Sequence, residues 1–419
     1  MTTSVPAPPF EIDVLDPTLY VRGVAHDVFR WLRENDPVHR DNKNGLWVIS
    51  KYDDVGYVER QPELFCSGQG VRPAGGGGGA DALSIVSMDD PEHARQRRLV
   101  SRGFTPTRIT ELMDHIREIA RELIENVAAR GQCDFVADIA KPLPLIVIAE
   151  TLGLPIDDRD LLAHWSDTMM AAEGAAEDDA MTQAAGQAWG EYITYLASLL
   201  EERRANPRDD LISVLLSSAD AGELSFDDSV IATGQANFAG LGADELLGFL
   251  VLLLVAGNET TRNGLSGGML ALSRNPGEKE KLLADPSLVN SATEEILRYV
   301  SPVISFSRVV TRATELRGRA FAPGDVLLNL YPSANRDADV FEDPDTFSIE
   351  RSPNLHLAFG TGPHFCLGAN LARTEIRILL EELYDRLPDV HVPEGADALR
   401  GPNTLVTTIQ SLPVEFTPA

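Results

Sequence analysis

Residues 359–368 read Phe-Gly-Thr-Gly-Pro-His-Phe-Cys-Leu-Gly, and the one cysteine among them, Cys366, is the residue best placed to do chemistry. Gly360 and Gly362 precede it, and Gly368 follows. The text from Ala369 to Leu387 then has the spacing of an amphipathic helix. The sulfur therefore lies at or just before a helix N-terminus, where backbone N–H groups and the positive helix end favour thiolate over thiol. No second cysteine is near. A lone cysteine in a glycine-rich turn is most often structural, but a thiolate held singly in this way also suits one axial bond to a large flat metal cofactor.

A second chemical feature lies in the apolar, helix-patterned segment from Leu246 to Leu272, whose middle reads Ala256-Gly257-Asn258-Glu259-Thr260-Thr261. An acid and hydroxyls inside a greasy helix are costly unless partnered. Ala256 and Thr260 are one turn apart and share a face. The plain expectation is that the Thr260 hydroxyl back-bonds to the Ala256 carbonyl, which would distort the helix and open a small polar groove. Gly257 would let another group approach the backbone. Further along, Glu295 and Arg298 stand at i,i+3, which alone is weak. His93 and Arg97 stand one turn apart on a helix that starts at Asp90-Pro91-Glu92.

These features must be positioned by a mostly helical chain. Helical patterns run over Thr107–Ala129, Pro144–Leu152, Asp157–Met170 and a further stretch up to Arg204. Strand-like text is short: Trp47–Ser50 passing into a helix, Val303–Thr311, Asp325–Leu330 and the C-terminal end. Residues 1–9 read as a disordered tail, and 10–419 as one domain. The five glycines 75–79 read as a mobile loop, because ordering each costs maximal backbone entropy.

Composition narrows the function classes. Among 419 residues, 64 acids against 36 Lys and Arg leave a net charge of −28, which argues against a nucleic-acid partner. The best membrane-span candidate, Leu246–Gly257, is too short and runs into Asn258, Glu259 and Arg262. The Pro-rich start has no secretory pattern. Three widely spaced cysteines, Cys66, Cys133 and Cys366, argue against a disulfide framework and for a reducing, cytoplasmic setting. The basic run Arg95, Arg97, Arg98, Arg102 is the natural docking patch for an acidic protein.

The order Phe-Gly-x-Gly-x-His-x-Cys-x-Gly resembles the haem-binding loop of the cytochrome P-450 family, the haem-thiolate monooxygenases. The segment 256–261 matches that family's oxygen-activating helix. The resemblance covers the chain from about residue 10 to the end, with motifs in the family's order. It implies a mainly α fold with small β-sheets, a triangular helical prism around a buried haem b. It implies Cys366 as the metal ligand and Phe359 packed beside its sulfur. It implies His93, Arg97, Arg308 and His364 as partners of the haem propionates, and Gly360, Gly368, Ala256 and Gly257 against the cofactor. Thr260 becomes the hydroxyl that supports proton delivery to dioxygen, and Glu259 the acid that gates those protons. Glu295, Arg298 and Arg351 become a structural ion-pair set.

The implied activity is hydroxylation of a hydrophobic small molecule with O2 and electrons from NAD(P)H, delivered by a ferredoxin and its reductase. Substrate contacts expected from the fold are Ile85, Val86, Leu252, Ala256, Val303, Ile304, Leu405 and Val406, all aliphatic. The nearest likeness is to actinobacterial members that oxidise sterols and branched lipids. A steroid, terpenoid or fatty-acyl substrate ranks first, and a polyketide or other secondary metabolite next. A peroxide-using haem-thiolate enzyme and a non-catalytic haem-thiolate sensor are the alternatives. One departure stands out. Leu224–Asp228 looks like a second start to the oxygen helix besides Leu241–Leu246, so roughly seventeen residues read as an insertion near 224–240.

Overall fold

The computed structural model describes residue 8 and residues 12–23, 25–72, 84–171, 180–208, 210–220 and 244–419. The tail, the five-glycine tract and the insertion expected near 224–240 lie outside the described residues.

Helices dominate. The chain runs through α1 (Ala25–Asn35), α2 (Tyr52–Glu59), α3 (Glu92–Val100), α4 (Pro106–Ala128), α5 (Pro142–Leu152), α6 (Arg159–Ala171), α7 (Ala180–Ala205), α8 (Asp244–Arg274), α9 (Val289–Val300) and α10 (Ala369–Arg386). Several boundaries follow from local chemistry. Thr105 caps α4 by accepting the Arg108 N–H at 3.3 Å, with Pro106 in the first turn. The helix α5 stops at Gly153, whose φ of +79° suits glycine. A π-turn at Val136–Ala140 precedes α5, and no sequence period announces it.

One sheet of five strands forms the other layer, from β1 (Val38–Asp41), β2 (Leu46–Ile49), β3 (Phe65–Cys66), β4 (Ser305–Val310) and β5 (Val326–Leu330). Its order is β1-β2-β5-β4-β3. The β2–β5 pair is parallel, with Trp47 opposite Leu327. The others are antiparallel, with Ser305 opposite Leu330 and Phe65 opposite Val310. This sheet carries Arg308 into the interior.

The oxygen-helix segment, α8, is 31 residues long and crosses the core. It packs against α9 where a Cβ on Gly267 would meet Val300 at 2.5 Å and one on Gly268 would meet Ile296 at 2.9 Å, so glycines are needed for this crossing. The helix after the cysteine, α10, lies along α4 and is tied to it by Arg121 on Glu382 at 2.6 Å. The Glu295–Arg298–Arg351 set forms at the end of α9. Arg298 is bidentate to Glu295 at 2.7 and 2.7 Å, both fully buried. Arg351 adds a contact at 3.2 Å, and Arg298 also donates to the Asn335, Pro344 and Thr346 carbonyls. Breaking such a buried pair costs about 3–5 kcal/mol.

Candidate functional site

The cysteine loop is shaped by backbone. The Cys366 N–H donates to the Phe359 carbonyl at 2.9 Å, and a short 3-10 turn spans Gly362–His364. Gly362 has φ +71°, and a Cβ there would sit 2.6 Å from the Glu59 carbonyl oxygen. Only glycine allows that approach. At Gly368 a Cβ would meet no protein atom within 4 Å. Phe359 packs near Phe365, its ring centroid 6.3 Å away, and the Arg373 guanidinium lies 4.5 Å over the Phe359 ring.

Glu59, at the end of α2, holds the loop from beneath, and sequence reasoning missed it. It accepts the Thr361 N–H at 2.8 Å, the Tyr331 hydroxyl, and Arg308 at 3.4 Å. Burial raises its pKa against the pull of Arg308. Arg373 was missed as well. It grips Glu294 at 2.7 and 2.9 Å, and His356 meets the same carboxylate at 3.1 Å. Burial raises the Glu294 pKa, but those hydrogen bonds outweigh it and hold the group at about 2. Neither Glu59 nor Arg373 belongs to a spaced pattern that could have marked it.

Cys366 is accessible yet hemmed in by protein. Lost hydration pushes its thiol up. The Gly368 N–H, Arg97, Arg373 and the Ala369 N–H pull it down without winning. The N–H groups at the helix start thus favour the thiolate, as the sequence reading expected, but burial outweighs them. A bound metal ion would make the thiolate, since a coordinating thiol is deprotonated outright.

His93, Arg97, Arg308 and His364 do come together. The His93 and His364 rings stand 4.1 Å apart, and Arg97 donates to the Phe365 carbonyl. His364 is driven down to about 3, by burial first and then by Arg308, His93 and Arg97. The buried His93 Nε2 has no hydrogen-bond partner. Four cationic or donor groups converging beside the cysteine loop, one of them an orphaned buried donor, fit an anionic edge such as haem carboxylates.

On α8, Ala256 is exposed and Gly257 and Thr260 are half-buried, in a helix otherwise mostly buried, so this turn faces open space. Thr260 Oγ1 donates to the Ala256 carbonyl at 2.8 Å, as the plain reading expected. A Cβ on Gly257 would be in ordinary contact with Ile148 at 3.6 Å. Glu259 is 1% exposed. Its Oε2 pairs with Arg262 at 2.6 Å while its Oε1 has no partner. Arg262 continues to Asp167 at 3.0 Å, and Asp167 to Lys141 at 2.5 Å. Burial raises the Glu259 carboxyl to about 7, with Arg262 and Lys141 opposing and Asp167 adding. The chain of charges runs outward, from 2% exposed at the Glu259 side chain to 42% at Asp167. Its distal members escaped the sequence reading because they come from α6 and the start of α5.

The expected substrate residues divide. Ile85 and Val86 sit on a short 3-10 turn before α3, and Leu252 lies one turn before Ala256. Val303 bridges Val406, and the Ile304 N–H donates to the Leu405 carbonyl at 2.8 Å, so these four residues meet. Ile304 has a further neighbourhood of its own. It is 1% exposed and lines a separate cleft with Phe29 and Leu270. Val303 packs instead against the core cluster that includes Val310 and Tyr331.

A mainly helical fold, a lone cysteine in a glycine-shaped loop and a helix turn with a buried acid fit a haem-thiolate protein, and the chain belongs to the cytochrome P-450 family, whose profile matches residues 178–411. It is 39% identical to a steroid C26-monooxygenase of Mycolicibacterium smegmatis, covering 98% of this chain and 97% of that protein. It is 38% identical to a methyl-branched lipid omega-hydroxylase of Mycobacterium bovis, covering 89% and 84%. Among solved structures, CYP109E1 of Bacillus megaterium in complex with testosterone superimposes with a TM-score of 0.84 at 33% identity, covering 95% of this chain and 99% of that one. The protein is thus a haem-thiolate monooxygenase that uses O2 on a hydrophobic small molecule. Among the described residues no helix is long and apolar enough to cross a membrane.

Proposed function

We propose that the protein hydroxylates a steroid or a branched fatty-acyl chain, using haem b as cofactor and electrons from NAD(P)H passed through a ferredoxin reductase and a ferredoxin. The observation that carries the reading is the convergence of His93, His364, Arg97 and Arg308 beside the Cys366 loop, in a chain whose α8 also bears a buried Glu259 and a Thr260 bonded to the Ala256 carbonyl. Names of relatives support the substrate class: one acts on steroids, another on methyl-branched lipids. The aliphatic residues Val303, Leu405, Val406, Leu252, Ile85 and Val86 offer an apolar lining without a charge.

Haem bound through Cys366 would supply the activation of O2 and the insertion of one oxygen atom into a C–H bond. The protein's part is binding, orientation and proton supply. His93, Arg97, Arg308 and His364 would hold the cofactor carboxylates. Glu59 and Arg373 keep the loop and Phe359 in place. Glu259, raised to about 7, is poised to take and give a proton near neutral pH. Its Oε1 is free for the inner transfer, while Oε2 stays on Arg262, the first link toward Asp167, Lys141 and the surface. Thr260 exposes a hydroxyl one residue further on, which can rotate from the Ala256 carbonyl to orient that proton. A peroxide-using enzyme has no need of this relay. One domain over residues 10–419 in a reducing cytoplasm completes the reading, and the three unpaired cysteines fit it.

The test is spectroscopic. Cys366→Ser abolishes the red-shifted thiolate absorption of the reduced carbon monoxide complex, whereas Cys66→Ser and Cys133→Ser keep it. Retention in Cys366→Ser sinks the ligand assignment. A steroid, a long-chain fatty acid and a macrolide are then compared by the shift each causes in haem absorption. A response to the macrolide alone overturns the substrate class.

A further inference from the structure

A cleft of about 430 Å3 lies away from the cysteine loop, between α1, the C-terminal end of α8, the end of α9 and the hairpin around Arg400 and Ile409. Its size is within the range of small-molecule sites. Its walls are mixed. Phe29, Leu270, Val300, Ile304 and Pro332 make an apolar side, and three arginines, Arg274, Arg336 and Arg400, face it with a single carboxylate, Asp397. In a chain of net charge −28 this concentration of guanidinium is unusual.

The arginines are unequally satisfied. Arg274 pairs with Asp397 at 2.6 Å near the surface. Arg336 is buried, stacks on Tyr299 at 4.2 Å and reaches Asp345 at 3.3 Å, yet its Nε has no partner. The Nδ1 of His26, also on the wall, has none either. Among the described residues the half-buried Arg400 guanidinium makes no hydrogen bond or ion pair, although Asp397 is within electrostatic reach. Buried donors normally find an acceptor, and guanidinium groups match the two oxygens of a carboxylate.

We propose that this cleft is a second binding site, for an amphipathic carboxylate whose head meets Arg400 and Arg336 and whose tail lies on Phe29, Leu270 and Ile304. None of the residues that line the cleft belongs to the cysteine loop or to the 256–260 turn of α8. An occupant rests against the segments Pro302–Ile304 and Leu405–Thr408, joined by the Thr407 N–H on the Pro302 carbonyl at 2.8 Å.

The test is calorimetric titration of sodium dodecanoate into the holoenzyme with its haem site saturated by an iron-ligating azole. The expected result is one dodecanoate bound per chain, with dodecanol at least tenfold weaker, since a charge-assisted hydrogen bond is worth about a factor of ten or more. Arg400→Glu weakens dodecanoate at least tenfold and leaves azole affinity and the carbon monoxide spectrum unchanged, while Arg400→Lys restores part of the loss. Absence of binding with the azole in place overturns the proposal, because dodecanoate then competes for the haem side. Equal affinity in Arg400→Glu, or equal affinity for dodecanol, overturns it too.

Discussion

Replacing Glu259 by Gln makes the protein more stable at alkaline pH and leaves it unchanged in acid. Glu259 is buried beside Arg262, and its carboxyl is raised from 4.5 to about 7 by burial. A raised carboxyl contributes stability that is fully present below the unfolded pKa and is lost as pH climbs through the folded one. Between pH 4.5 and 7 the unfolded chain ionises while the folded chain stays protonated, so the native protein loses about 1.4 kcal/mol per pH unit relative to a neutral amide. Above pH 7 the loss levels off at about 3 kcal/mol. The amide introduced by Glu259→Gln removes that loss, and Arg262 keeps its contact with Asp167 at 3.0 Å, so no cation is stranded. With an unfolding entropy of about 2.1 cal/mol/K per residue, this corresponds to a rise in Tm of about 3 °C for a chain of 419 residues. The assay is thermal unfolding by far-UV circular dichroism of both holoproteins from pH 5 to 8.5. The curves of Tm against pH converge near pH 5 and separate toward pH 8. A gap that does not change with pH, or a variant less stable at pH 8, refutes the idea that an ionisable, desolvated Glu259 sits at this turn. In turnover, Glu259→Gln lowers product formed per NAD(P)H consumed.

Thr260→Ala loses only the hydroxyl bond to the Ala256 carbonyl, so haem content and Tm stay near wild type while reducing equivalents divert to peroxide or water; an unchanged product-to-NAD(P)H ratio leaves Thr260 as a helix residue alone. Gly362→Ala forces a side chain against the Glu59 carbonyl at a φ of +71°, which destabilises the loop by about 1–3 kcal/mol and is read as a growing fraction of carbon monoxide complex without the thiolate band. Glu295→Ala strands the buried Arg298 and costs about 3–5 kcal/mol, seen as a lower urea midpoint; a shift under 1 kcal/mol would mean the pair is screened.

Contiguous chemistry is legible in the chain itself. The loop 359–368 and the turn 256–261 each sit on one short piece of backbone, where spacing dictates which groups share a turn. The helix edges read from spacing lie within about two residues of the folded ones, as at Ala369–Arg386 and Pro106–Ala128. Thr260 on the Ala256 carbonyl is such a local effect and follows from the i,i+4 spacing alone.

Packing decided the rest. Glu59 reaches the cysteine loop from some three hundred positions earlier, and the Glu259 relay needs Asp167 from α6 and Lys141 from the turn before α5. Long-range partners leave no spacing to read, because any acid in the chain could have served. The thiol of Cys366 shows the same limit from another side: the helix start is local, but desolvation is summed over everything that folds around the sulfur. Ile304 lines a cleft with Phe29 and Leu270, residues far from it in the chain that no spacing could have brought to it. Local spacing determined which residues carry the chemistry. Tertiary contact decided which groups hold, charge and face them, because burial and pairing are properties of the assembled core.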